Sequence, residues 1–175
     1  MSNTPPSDGL DSPLGLAREV SELMKLPQHL CKQRGICCKV ATFKGSLSYE
    51  DILTLAADPS AAGHESARDF ASVFVPYENQ AVVRELASEF VDRVRTAAAS
   101  KGQNPDQVSF FKCKYVLDDG RCGVHDDRPV GCRVYPFPHK NTIYHPGCGF
   151  EAQGTENWRR IESILLSLGM NPQEI

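Results

Sequence analysis

No stretch of this chain is apolar for the roughly 20 consecutive residues that cross a bilayer. Its opening, M-S-N-T-P-P-S-D-G-L-D-S-P, lacks the basic stretch and apolar core of a secretory signal. The expected setting is therefore cytoplasmic, with no membrane partner, where thiols stay reduced. An excess of one charge is missing too: 19 Lys+Arg against 22 Asp+Glu leave a formal net charge of −3. That balance offers no general electrostatic case for nucleic acid. A Gly-rich phosphate loop, a G-x-S-x-G elbow and an H-E-x-x-H helix, each tied to a reaction, do not occur. The absence of any C-x-x-C pair counts against thiol–disulfide exchange. Nothing marks the chain as an enzyme.

Cysteine itself is abundant: seven in 175 residues, in two blocks. Cys31, Cys37 and Cys38 form the first, and Cys113, Cys122, Cys132 and Cys148 the second, with none in the 74 residues from 39 to 112. Thiols clustered this way serve either as disulfide staples or as metal ligands. An odd number leaves one unpaired in a disulfide framework, and a reducing compartment disfavours disulfides altogether. Metal ligation is the better reading.

Around the cysteines the periodicity is helical. Leu16, Val20, Leu23 and Met24 follow helix spacing before Pro27. Ser48 with Asp51 makes an N-cap for a helix carrying Ile52, Leu53 and Ala56. Ala67, Phe70, Ala71 and Phe74 mark another, ended by Pro76. The clearest runs from about Asn79 to Lys101 before Gly102, and a last one begins near Thr155 and closes at Gly169. These stripes are core packing. The expected organisation is a disordered tail over residues 1–13 and a single small domain over 14–175, with a helical insert at about 48–101 and a C-terminal helix at about 155–169.

The second cysteine block reads differently. Asp119-Gly120 between two β-prone runs predicts a hairpin turn that brings Cys113 and Cys122 together. Beyond it Gly123, Pro129, Gly131, Pro136, Pro138, Pro146, Gly147 and Gly149 forbid long regular structure. Metal bonds are one way to order such a segment, because ligand binding energy is folding energy there. The expected fold is thus mainly α, with an irregular Cys-rich metal-binding region and a short β-hairpin.

These blocks resemble the YkgJ-type cysteine-cluster family, a zinc- or iron-chelating domain named for C-x-x-C-x-x-C-C. The first block, C-K-Q-R-G-I-C-C from Cys31 to Cys38, fits that frame with Arg34 in the second cysteine position. Cys122-Gly-Val-His125-Asp-Asp-Arg128-Pro129-Val-Gly-Cys132-Arg133-Val-Tyr135-Pro136-Phe137 resembles the family's C-x-[IV]-Y-x-x-R-P-x-x-C-R-x-[YF]-P-F. The likeness covers roughly Cys31 to Phe150 and implies chelation rather than a particular reaction. Arg34 offers only donors and is no ligand. Where the family tends to have a cysteine before P-G, this chain has His145, so either His145 or Cys148 takes that role.

The ligand candidates are therefore Cys31, Cys37, Cys38, Cys113, Cys122, Cys132 and Cys148, with His145 in reserve. One tetrahedral zinc uses four donors; seven thiolates suffice for two ions sharing a bridge. Cys37 and Cys38 diverge in an extended backbone, which would suit two neighbouring centres. The gaps after Cys113, of eight, nine and fifteen residues, match no familiar iron–sulfur signature. Zinc or mononuclear iron is the expected metal, and an iron–sulfur or non-haem-iron redox centre the alternative. Residues 28–40 and 107–150 hold nine Lys/Arg and four Asp/Glu, a local +5 that favours thiolates as well as it fits ordinary surface charge. His29 and His64 read as surface residues; His125 and His139 are possible ligands that singly read as solvated or hydrogen-bonded loop residues. Either His145 or His125, with the seven cysteines, would supply eight donors for two separate sites. Arg128 and Arg133 are expected to pair with Asp118, Asp126 or Asp127, or to donate to thiolates. Phe110, Phe111, Tyr135, Phe137 and Phe150 are expected to jacket the cluster.

Overall fold

A computed structural model describes residues 12–43 and 47–172. Residues 1–11 of the expected tail lie outside the described residues. Its last two positions are already ordered: Ser12 caps a helix by accepting from the Gly15 N–H, and Pro13 occupies the first helical position, where its missing N–H costs nothing. The elements in chain order are α1 (Pro13–Leu23), α2 (Ile36–Lys39), α3 (Tyr49–Ala57), α4 (His64–Val73), β1 (Phe74–Pro76), α5 (Ala81–Ser100), β2 (Phe111–Cys113), α6 (Val130–Val134) and α7 (Glu151–Ser167). The fold is mainly helical with one short antiparallel strand pair, as expected. No helix among the described residues is long and apolar enough to cross a membrane.

Contacts group the described residues into two compact units. The first comprises residues 12–31, 136–142 and 149–172. In it α1 packs on α7, which buries Ile161, Ile164 and Leu165. Asn157 donates to the Leu23 carbonyl at the end of α1 (2.7 Å), and Arg160 grips Glu19 through Nε and Nη2 at 2.7 and 3.2 Å. Helix α7 starts at Glu151 rather than near Thr155. Thr155 turns its hydroxyl back to the Glu151 carbonyl instead of capping, and Glu151 brings negative charge to the N-terminal turn.

The second unit comprises residues 32–43, 47–135 and 143–148. Its capping box at Ser48 and Asp51 forms as read from the sequence, with reciprocal hydrogen bonds of 3.1 and 3.0 Å. One core gathers Val40, Val83, Phe90, Val91, Val94 and Phe110; another gathers Ile52, Ala67 and Phe111, with Phe70 and Phe74 against it. Phe74 leaves α4 and begins β1, its ring stacked on Phe70 at 4.6 Å. Strand β1 pairs with β2 in the register Phe74↔Cys113, Val75↔Lys112 and Pro76↔Phe111. The expected hairpin is thereby corrected. Cys113 finds its ladder partner 39 residues upstream. The turn at Asp119-Gly120 closes no named strand pair but an isolated bridge between Val116 and Cys122, flanked by the Leu117 N–H to the Arg121 carbonyl and the Gly123 N–H to the Tyr115 carbonyl, both 2.9 Å. Gly120 takes a φ of 86°, which suits glycine, but the chain around it is too rich in turn residues to extend the ladder.

Candidate metal centre

Four contacts draw the first cysteine block onto the second. Gly35 and Gly120, both at positive φ, pass so closely that a Cβ on Gly35 would stand 2.1 Å from the Gly120 carbonyl oxygen. Ala41 exchanges backbone hydrogen bonds with Phe111 at 2.9 and 2.8 Å, two residues before Cys113. Lys39 donates to the Asp118 carbonyl (3.0 Å). Arg34, which replaces a cysteine of the C-x-x-C-x-x-C-C frame, donates through Nη2 to the Pro146 carbonyl at 2.9 Å, beside Gly147 and Cys148.

None of the seven cysteines is in a disulfide. Cys37 and Cys38 lie in α2, so the expectation of an extended backbone is overturned: Gly35 at φ 67° starts a helical turn here. A hydrogen bond from Cys38 lowers the Cys37 thiol to about 7 against the opposing effect of burial, helped by nearby backbone N–H groups and Arg34. The same bond, with burial and the charges of Cys37, Cys113 and Cys122, raises Cys38. Cys113 ends β2, 7% exposed, and accepts from the Tyr115 N–H at 3.4 Å. Its thiol is raised by burial, with Cys122 and Cys37 adding to the effect. Cys132, on α6, is also raised by burial first and then by Cys113 and Cys122, while Arg128 opposes. Cys148 closes a turn through its N–H to the His145 carbonyl (2.9 Å). Tyr135 links it to the others: burial of the Tyr135 hydroxyl and then the charges of Cys37, Cys148, Tyr144 and Cys38 raise that group. Five thiols, Cys37, Cys38, Cys113, Cys122 and Cys132, therefore share one electrostatic neighbourhood, and Cys148 adjoins it through Tyr135. Cys31 follows a 3-10 turn at Gln28–Leu30, is exposed, and belongs to the unit of α1 and α7.

His145 is 4% exposed and stacks on Phe90 with ring centres 3.6 Å apart. Its Nε2 lies 2.8 Å from the Val40 carbonyl oxygen, an acceptor only, so Nε2 carries the proton and Nδ1 presents a bare lone pair. Nδ1 is buried without a hydrogen-bond partner. Burial pushes this imidazole down to about 4; the Val40 bond opposes, and Arg34 and Arg93 assist. A neutral histidine anchored through one nitrogen to a carbonyl is the usual preparation of a metal ligand. It also completes the end of α2, where Tyr77 donates to the Lys39 carbonyl and His145 to that of Val40.

As placed, no three His, Cys, Asp or Glu side chains among the described residues stand together so as to hold a metal ion. The donors are neighbours rather than a closed shell. Arg128 and Arg133 do not pair with Asp118, Asp126 or Asp127 through their carboxylates. Arg128 Nε donates to the His125 carbonyl (3.0 Å), and Arg133 to the carbonyls of Arg128 (2.7 Å) and Asp126 (3.1 Å). These bonds hold the loop that carries Cys132. Of the expected aromatic jacket, Tyr135 stands among the thiols, while Phe110 and Phe111 pack into the two cores. Sequence reading missed Gly35 and Tyr77. Gly35, directly before the Cys37-Cys38 turn, was the available signal.

No family model, no curated protein and no solved structure matches this chain.

Proposed function

We propose that this protein binds a transition metal, zinc or iron, through a thiolate-rich site in the manner of the YkgJ-type chelating family its motifs resemble. Cys37, Cys38, Cys113, Cys122, Cys132 and Cys148 are the donors, with His145 Nδ1 in reserve, all within one compact unit; Cys31 belongs to the other. The observation that carries the reading is the electrostatic coupling of Cys37, Cys38, Cys113, Cys122 and Cys132, drawn from both cysteine blocks and none of them in a disulfide, with Cys148 beside Tyr135 at their edge. Five like-charged groups cannot all ionise side by side, so without a cation most stay protonated. A dication reverses that: each thiol that ligates gives up its proton, and the repulsion becomes attraction to the ion.

Closing the shell requires the thiols to reorient toward a common point, because as placed no three of them stand together. The bond between Cys38 and Cys37 gives way in the process. A closed four-thiolate zinc site would serve to stabilise the loop-rich half of the unit. Iron would add redox chemistry, and this is the alternative function.

Anaerobic purification with elemental analysis and a visible spectrum tests the reading. Colourless protein with zinc supports a structural ion, brown protein with iron and sulfide supports a cluster, and folded protein with no bound metal overturns the proposal. Cys132→Ser is expected to lower metal content and melting temperature together; full loading in that variant removes Cys132 from the site.

A further inference from the structure

Helix α6 turns apolar side chains outward. Val130 and Val134 stand one helical turn apart, and so on one face, and are 73% and 53% exposed. Val130 is the most exposed large hydrophobic residue among those described. Gly131 continues that face with open space around it, since a Cβ there would meet nothing within 4 Å. Tyr135, the next residue on the same side, is exposed as well. A single exposed valine needs no explanation, but a contiguous apolar face marks a surface that meets something.

The face is held stiff from behind. Arg133 donates through Nε to the Arg128 carbonyl at 2.7 Å and through Nη2 to the Asp126 carbonyl at 3.1 Å, and Arg128 Nε donates to the His125 carbonyl at 3.0 Å. Both arginines thus fold the loop back on its own backbone and leave the carboxylates of Asp126 and Asp127 exposed, neither in an ion pair among the described residues. A surface ordered beforehand loses little freedom when it is covered.

Charge selects the occupant. The run from Asp126 to Arg133 carries two aspartates and two arginines and is neutral overall. An acidic partner would meet Asp126 and Asp127, and a basic one would meet Arg128 and Arg133, so either sets like charges against each other. A second copy of this chain does not. Turned about a two-fold axis, it offers the same patch reversed, with the arginines of each copy facing the aspartates of the other and the valines meeting at the centre.

We propose that the outer face of α6 is a self-association surface through which two copies pair across a two-fold axis. Val130 and Val134 carry no donor atom, so the pairing stands apart from the metal reading although Cys132 lies on the same helix. The face is small, which makes this a weak, reversible dimer rather than an obligate one.

Sedimentation equilibrium of the full-length protein, from about 10 µM to about 1 mM, tests the proposal, with metal content measured on every sample. A monomer–dimer equilibrium with a dissociation constant of about 0.1 mM is expected. Val130→Lys and Val134→Lys, each at a position open to solvent, set like charges at the centre and are expected to weaken pairing about tenfold or more, with circular dichroism and metal content unchanged. The double variant Asp126→Lys/Asp127→Lys leaves only positive charge around the valines and is expected to weaken it as much. A monomer at every concentration leaves the face to an unrelated partner and overturns the proposal. Growth beyond the dimer, undiminished pairing in both valine variants, or undiminished pairing in the aspartate variant overturns it too.

Discussion

Gly35→Ala should break the junction between the two cysteine blocks. Gly35 holds φ 67°, a region that costs an L-residue roughly 1–2 kcal/mol. An alanine Cβ there would also stand 2.1 Å from the Gly120 oxygen and 2.7 Å from its Cα, so two backbones must move apart. Forced overpacking of this kind costs about 1–3 kcal/mol. The sum, about 2–5 kcal/mol, is a large share of the roughly 5–15 kcal/mol that stabilises a small domain. Two other glycines separate the contributions. Gly102 has φ 72° but nothing within 4 Å, so Gly102→Ala incurs the conformational cost alone. Gly131 sits within α6 at ordinary φ with open space around it, so Gly131→Ala should be neutral or stabilising by about 0.5–1 kcal/mol. Urea denaturation followed by circular dichroism ranks the three, with the midpoint read at unchanged slope. If Gly35→Ala proves no more destabilising than Gly102→Ala, the close crossing of Gly35 over Gly120 is wrong, and with it the joining of the blocks.

Below pH 6.5 the unfolded state protonates His145 while the folded state, held at about 4, refuses the proton, so metal-free protein should lose roughly 3 kcal/mol as pH falls from 6.5 to 4. Denaturation midpoints across that window should slope less in His145→Gln, and an identical slope would falsify the assignment. Tyr77→Phe removes the donor to the Lys39 carbonyl at the end of α2 and should cost about 1–2 kcal/mol by urea melting; no change would mean that water caps that carbonyl equally well. Asn157→Ala leaves the Leu23 carbonyl without its donor and should cost about 1–3 kcal/mol in the unit of α1 and α7, seen as a lower thermal midpoint of its circular dichroism.

What could be read directly from the residues was local. The capping box at Ser48, the stripe of α5 and the turn at Gly120 each depend on neighbours a few positions apart, so their sequence patterns carry the structural result. That all seven cysteines would converge was an expectation from residue type and spacing; the fold sets Cys31 in one unit and the other six in the other. Two local expectations failed where distant contacts intervened. Cys113 was drawn from a hairpin with Cys122 into a pair with Phe74, and Phe74 was taken out of α4 by that same ladder.

Tertiary structure alone decided which thiols became neighbours. Arg34 bonds to a carbonyl 112 residues away, His145 to one 105 residues away, and Gly35 touches Gly120, and no periodicity announces such pairings. The role of Arg34 illustrates the difference. From its type it could be excluded as a ligand, because a guanidinium offers only donors. That it clasps the turn bearing Cys148, and stands close enough to help lower Cys37, depends on where the folded backbone carries it.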